Sequence, residues 1–199
     1  MINIPVVIAL ILAYLLGTIS PSILLGKKYG IDIKSQGSGN AGTTNALRVL
    51  GKKAGLITLV VDISKGVLAV IIGRFLGGET VAMACGVLAF SGHVWPVFFR
   101  FKGGKGVATA FGVITAINPL MGLVIGLMMV MIVAITKRVS AGSVICALMF
   151  PFVANLYNPD YLWWTLILGV TILYKHSANI SRLMKGEEPK MNFKKSGKV

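Results

Sequence analysis

The stretch AGLITLVVDISKGVLAVIIGRFL, from Ala54 to Leu76, decides the fold. Its length is that of a bilayer-spanning helix, about 20 mostly apolar residues. Asp62 and Lys65 fall inside it, and each charge at mid-bilayer would cost about 2.5–3.5 kcal/mol. At i and i+3 they share one helix face and can neutralise each other. They therefore face the interior of a bundle, either as a structural ion pair or as the border of a polar cavity.

Working outward, Gly77-Gly78-Glu79 turns the chain into a second apolar run over 80–99. Further runs follow at 107–117, 120–136, 140–156 and 161–176, with breaks at Asn118-Pro119, Lys137-Arg138 and Asn158-Pro159-Asp160. Upstream, residues 2–26 form another run that ends at Lys27 and Lys28. No basic segment precedes it and positive charge follows it, the reverse of a secretory signal peptide. The expected fold is an all-α membrane protein, a single domain over 1–199 with about seven transmembrane helices.

Composition agrees. Of 199 residues, 55% are hydrophobic and 13% charged, where a soluble domain carries about 25% charged residues. Twenty Lys and Arg face six Asp and Glu, for a formal charge of +14. A nucleic-acid binder could be as basic, but it needs no series of long apolar runs, so nucleic acid is excluded as a partner. If the N-terminus lies outside, the inner segments hold Lys27, Lys28, Lys34, Arg48, Lys52 and Lys53, then Arg100, Lys102 and Lys105, then Lys137 and Arg138, then the basic tail. The outer turns are nearly free of positive charge. That split places the N-terminus outside and the C-terminus in the cytoplasm. Tyr161, Trp163 and Trp164 suit an interfacial aromatic belt at an outer end. Cys85 and Cys146 lie in apolar runs and read as packing residues. No Cys/His cluster offers a metal site, and no cofactor or protein partner is implied.

Three polar, glycine-rich segments all fall on the inner side. The first runs Ser35-Gln36-Gly37-Ser38-Gly39-Asn40-Ala41-Gly42-Thr43-Thr44-Asn45-Ala46-Leu47-Arg48. Its glycines let backbone approach a ligand, its Ser, Thr and Asn offer neutral hydrogen-bonding groups, and Arg48 can clamp a phosphate. Residues 37–42 match G-x-G-x-x-G, but the dinucleotide fingerprint needs a βαβ unit and this segment sits between two spans. The second segment reads Ser91-Gly92-His93-Val94-Trp95-Pro96, then Phe101-Lys102-Gly103-Gly104-Lys105-Gly106-Val107-Ala108-Thr109. Gly103, Gly104 and Gly106 leave N–H groups open around Lys105, and a helix starts at once, so its positive dipole end adds to the site. It is not a Walker A loop, because Gly106 follows Lys105 and Phe99 stands where that pattern needs glycine. The third, Lys175 to Arg182, puts His176 and Asn179 on one helix face with Arg182 about a turn further on.

This inventory lacks the paired carboxylates or histidines of a metal hydrolase. Neutral donors, cations and helix ends suit the binding of two anions and the stabilisation of a negatively charged transition state. Apolar walls suit an acyl chain. A reaction joining a small phosphorylated alcohol to a fatty acyl group would use all of these.

The three segments resemble, in order and over essentially the whole chain, the acyl-phosphate-dependent glycerol-3-phosphate acyltransferases of bacterial membranes (the PlsY family). Ser35 to Arg48 is similar to that family's first glycine-rich stretch, here S-x-G-x-G-N-x-G-x-T-N-x-x-R. Gly92 to Thr109 matches its G-H-x-x-P and F-x-G-G-K-G-x-A-T, and His176 to Glu188 its H-x-x-N-x-x-R-x-x-x-G-x-E. The resemblance implies attack of the sn-1 hydroxyl of glycerol 3-phosphate on an acyl phosphate, giving 1-acyl-glycerol 3-phosphate (lysophosphatidic acid) and phosphate, at the cytoplasmic face of a bacterial inner membrane. Substrates and membrane lipid are the only implied partners. By motif position, Lys105 with Gly103, Gly104, Gly106 and Thr109 would hold one phosphate and stabilise charge at the carbonyl. Ser35, Ser38, Asn40, Thr43, Asn45 and Arg48 would bind the other substrate, with Arg182 a further phosphate ligand. His176 and Asn179 would orient the attacking hydroxyl, with either His176 or the substrate's phosphate as the base.

Rival readings are an organophosphate or anion transporter and a phosphatidyl-alcohol transferase. The first prefers internal repeats around a midplane site, and the second clustered aspartates for metal. Neither is present. The soluble-type H-x-x-x-x-D acyltransferase signature is missing too: Phe98 stands five residues after His93, and Ser181 five after His176.

Overall fold

A computed structural model describes residues 3–191, so the basic stretch from Phe193 to Val199 lies outside the described residues. Every regular element among them is helical. The chain groups into two compact units that divide between Ile117 and Asn118.

The first unit begins with α1 (Ile4–Thr18) and α2 (Pro21–Lys28), bent by 42° at the intervening break. Pro21 accounts for that break. It has no N–H to continue the ladder, and it pushes Ser20 into extended backbone, with φ −116 and ψ 93. After a loop come α3 (Thr43–Leu50) and α4 (Lys52–Val94). A straight helix of 43 residues would be about 65 Å long, twice the hydrocarbon thickness. Instead α4 turns at Gly78, whose φ of 75 and ψ of −166 only glycine adopts without strain. The two legs fold back on each other, and a Cβ on Gly73 would sit 2.7 Å from Ala82 Cα. A short turn (Val97–Phe99) leads to α5 (Val107–Ile117), which lies along α4.

Small residues let these helices touch: Gly17 of α1 packs on the Ala89 backbone, and Gly112 of α5 on Ile63. Lipid offers no hydrophobic gain from helix association, so close backbone approach of this kind supplies the attraction. At the Gly78 end, Arg74 pairs with Glu79 at 2.9 Å and donates to the Ala116 and Ile117 carbonyls, closing the last turn of α5.

The second unit is an antiparallel series of α6 (Pro119–Thr136), α7 (Val139–Tyr157) and α8 (Leu162–Lys175), followed by the short α9 (Ser177–Met184). Asn118 caps α6 by accepting from the Leu120 and Met121 amides, and Asn158 starts the turn into α8 by accepting from Asp160. The central helix is α7, which packs against both α6 and α8.

Burial is inverted relative to a soluble domain. Phe75, Leu127, Ile135 and Leu156 are exposed, whereas Asp62 and Lys65 are 1% and 2% exposed. This is a membrane fold. Lengths sharpen the expectation of seven spans. Three described helices are long and apolar enough to cross a bilayer, four if the bent α1–α2 pair counts as one, and the longest of them contains the Gly78 turn. At 11 and 14 residues, α5 and α8 fall short of a full crossing by themselves.

Candidate active site

In the first unit, two of the three polar segments come together. The loop before α3 is built around Asn45, which is 1% exposed. Its amide donates to the Ile33 and Gln36 carbonyls at 3.1 and 3.0 Å, and its Oδ1 accepts from the Ser38 N–H at 2.9 Å. All three bonds hold the loop. Asn45, expected to contact a ligand, thus shapes the loop from within. Gly37 and Gly39 take positive φ of 62 and 67 within it. Ser35 is exposed and donates from Oγ to the Asp32 carbonyl at 2.9 Å. Asn40 is half-buried, Ser38 is exposed, and Arg48 lies exposed in the last turn of α3.

The second loop lies against the first. Pro96 starts a tight turn in which Arg100 and Phe101 both take left-handed φ, 56 and 57, held by the Phe101 N–H donating to the Pro96 carbonyl at 2.9 Å. Lys34 Nζ donates to the Phe99 carbonyl at 3.3 Å, and the Lys27 and Lys34 ammonium groups lie 5.8 and 5.7 Å from the Phe99 ring centre. Burial lowers the Lys34 pKa, and Lys102, Lys27 and Arg100 push in the same direction against Asp32.

Past this turn, Gly103 and Gly104 donate their N–H groups to the Val94 and His93 carbonyls at 3.2 and 3.1 Å. There is no room for side chains here. A Cβ on Gly103 would strike the His93 carbonyl, and one on Gly104 would strike His93 Nε2 and lie 3.1 Å from the Ala41 carbonyl. Gly106, at φ 84, passes over the Phe90 ring. Half-buried Lys105 follows Gly104, and α5 opens at Val107. Thus the Ala41–Gly104 contact brings together the loops that open α3 and α5, two helix ends of positive partial charge. Among the described residues, Thr43 Oγ1 and Thr109 Oγ1, in the first turns of those two helices, are buried hydroxyls with no hydrogen-bond partner. Such a group costs about 1–3 kcal/mol if nothing binds it.

The third segment is the joint of α8 and α9 in the second unit. His176 is buried, and its Nδ1 lies 2.9 Å from the Ile172 carbonyl. A carbonyl oxygen only accepts, so Nδ1 carries a proton. Asn179 donates to Glu188 Oε1 at 2.6 Å, Ser140 Oγ to the same oxygen at 2.7 Å, and Arg182 Nε to Oε2 at 2.7 Å. Arg138 Nε donates to the Glu188 carbonyl at 2.8 Å. Burial would raise the Glu188 pKa, but the bonds from Ser140, Asn179 and Arg182 outweigh it and hold the carboxyl below its ordinary value. Arg182, expected to hold phosphate, is engaged by this carboxylate. Glu188 was the last residue of the third motif and carried no role in the sequence reading. Its spacing from Asn179 and Arg182 was the available signal. Among the described residues, no group of three or more His, Cys, Asp or Glu could hold a metal.

Fold and loops together define a helical integral-membrane protein in which two glycine loops, each opening a helix, meet in the first unit. The chain belongs to the glycerol-3-phosphate acyltransferase family, whose pattern it matches over residues 7–186. It is 43% identical to the glycerol-3-phosphate acyltransferase of Thermoanaerobacter pseudethanolicus over 94% of this chain and 96% of that one. It is 44% identical to that of Clostridioides difficile over 95% and 97%. A crystal structure of PlsY (YgiH), an integral membrane glycerol 3-phosphate acyltransferase in its glycerol 3-phosphate form, superposes with a TM-score of 0.90 at 35% identity, covering 94% of this chain and 96% of that one. The lysophosphatidic acid form gives 0.87 at 35% identity over 94% and 95%. Family membership decides against the transporter reading.

Proposed function

We propose that the chain transfers a fatty acyl group from acyl phosphate to the sn-1 hydroxyl of glycerol 3-phosphate, releasing 1-acyl-glycerol 3-phosphate and inorganic phosphate. The observation that carries this reading is the meeting of two glycine loops at Ala41 and Gly104, each opening a helix N-terminus, with Lys105 beside them. Two helix ends and a lysine match two phosphates. The relatives solved with glycerol 3-phosphate and with lysophosphatidic acid support the acceptor and the product.

The hydroxyl oxygen forms a bond to the acyl carbonyl carbon, and the carbon–oxygen bond to phosphate breaks. Phosphate leaves with the electron pair, so no covalent enzyme intermediate is required. The Gly103 and Gly104 N–H groups are engaged by the Val94 and His93 carbonyls. Lys105 and the first N–H groups of α5 therefore hold a phosphate and the charge that develops on the carbonyl oxygen, a role worth about 2.7–4 kcal/mol per donor in related chemistry. Thr43 and Thr109 supply hydroxyls to bound phosphate, and Ser35, Ser38, Asn40 and Arg48 contact the second substrate. Asn179 and His176 orient the acceptor hydroxyl, whose proton goes to His176 Nε2 or to a substrate phosphate. Membrane topology completes the reading: seven crossings, N-terminus outside, loops facing the cytoplasm at the inner membrane.

The test is phosphate release by purified protein in lipid, given acyl phosphate and glycerol 3-phosphate. Release with an acyl thioester as donor and none with acyl phosphate would overturn the donor. Lys105→Ala is expected to lower kcat/KM by about a hundredfold or more. His176→Ala settles the base: near-normal turnover assigns the proton to the substrate phosphate.

A further inference from the structure

The ion pair in the opening stretch has a third member that sequence spacing does not reveal. Lys65 Nζ lies 2.8 Å from Asp62 Oδ1, 2.9 Å from His93 Nδ1 and 2.7 Å from the Ile19 carbonyl. An ammonium group has three N–H bonds and no acceptor. Three acceptors surround this one, and the Ile19 carbonyl is the group left over where α1 breaks before Pro21. The four groups come from the α1–α2 break, one leg of α4 and the end of its other leg. All three side chains are buried, His93 at 6% exposure.

The geometry points to Asp62 and Lys65 as positioning residues for the Lys105 loop, acting through the tautomer of His93. His93 Nδ1 lies 3.3 Å from Asp62 Oδ1 as well, but the shorter contact, at 2.9 Å, is to Lys65, and a charged Lys65 can only donate. The closer contact therefore has Nδ1 accepting and the ring proton on Nε2, with Lys65 between the two acceptors. Nε2 is the atom that faces Gly104. The backbone of the same histidine receives the Gly104 N–H at 3.1 Å, and Val94 next to it receives Gly103. The glycine loop is thus registered against His93 from two sides, by its carbonyl and by a ring whose orientation Lys65 fixes. Asp62 keeps the ammonium charged and in place at mid-helix, where neither residue could stand alone. Neither touches the loop itself. This inference rests on reading the Lys105 loop as the phosphate site, but the tautomer is observable without turnover.

The chain has two histidines, so nitrogen NMR of histidine-labelled protein in detergent is tractable, with His176→Gln assigning the signals. The expected spectrum shows opposite tautomers: His93 protonated at Nε2, His176 at Nδ1. A wild-type His93 protonated at Nδ1 overturns the inference whatever the substrates prove to be. The companion variant is Asp62→Leu with Lys65→Met, which replaces the pair by apolar side chains. It is expected to keep its helical content, lose the fixed His93 tautomer, and raise the KM for the phosphate held at the loop by about tenfold with kcat within about threefold. Wild-type KM in that variant, with the tautomer lost, also overturns the inference. If the variant does not fold, the wild-type spectrum alone decides.

Discussion

The two polar regions are built on opposite plans. In the first unit, the loops at 33–42 and 95–106 are shaped by glycine backbone, helix starts and one buried amide. In the second, the α8–α9 joint is held by side chains converging on one carboxylate, Glu188. Backbone construction makes the first region intolerant of added atoms. Side-chain construction makes the second tolerant of bulk and dependent on charge. A phosphate binder needs positive ends left unsatisfied by the protein, whereas a residue proposed to orient a hydroxyl, as Asn179 is, needs to be held still.

The sharpest way to break this contrast is Gly104→Ala. One methyl group would collide with His93 Nε2 and crowd Ala41, so kcat/KM should fall about a hundredfold, read as phosphate release, while the α8–α9 joint is untouched. A mild effect would mean that the loop is not packed as described. Next comes Glu188→Gln, which keeps an acceptor but loses the charge opposite Arg182. Activity should fall about tenfold, in line with the loss of a charge-assisted hydrogen bond of about 1.5–3 kcal/mol. The sign of its pH dependence follows from the lowered pKa: the carboxylate's contribution is full above the ordinary glutamate value of about 4.3 and is lost as pH falls through the depressed one. A thermal-melt series from pH 6 to pH 3 should show an acid limb in the wild type that Glu188→Gln flattens. The smallest effect belongs to Arg74→Ala at the Gly78 end. Its pair with Glu79 is about two-fifths exposed on both sides, and stability should drop by about 1 kcal/mol or less, with turnover unchanged.

Much of this was legible in the sequence, and what was not has physical reasons. Helix positions followed from apolar runs, because lipid leaves the backbone few other ways to satisfy itself. The turn at Gly77-Gly78-Glu79 was legible from its glycines, whereas the break before Pro21 was not, since hydropathy measures apolar length and not backbone angles. Gly103 to Thr109 could be read as an anion loop because glycine and lysine next to a helix start have few other uses. The loop-shaping bonds of Asn45 were not legible, because a buried amide that shapes a loop and one that binds a ligand look the same in a string. Glu188 and the His93–Lys65 contact were missed for a different reason: both join residues through side-chain reach, across gaps of 48 from Ser140 and 28 from Lys65, which no local period encodes.

The break in α1 also sets an order of assembly. Its Ile19 carbonyl waits for Lys65, and the Tyr14 hydroxyl donates at 2.9 Å to the Trp95 carbonyl, 81 residues later in the chain. At about 5–20 residues per second, a ribosome takes roughly 4–16 s to deliver that partner. For those seconds the Tyr14 hydroxyl of the first helix waits for the Trp95 carbonyl, while Lys65, 46 residues after Ile19, reaches the bend earlier. Completion of the second leg of α4, and not insertion of the first helix, is then the event that commits the nascent chain to its fold.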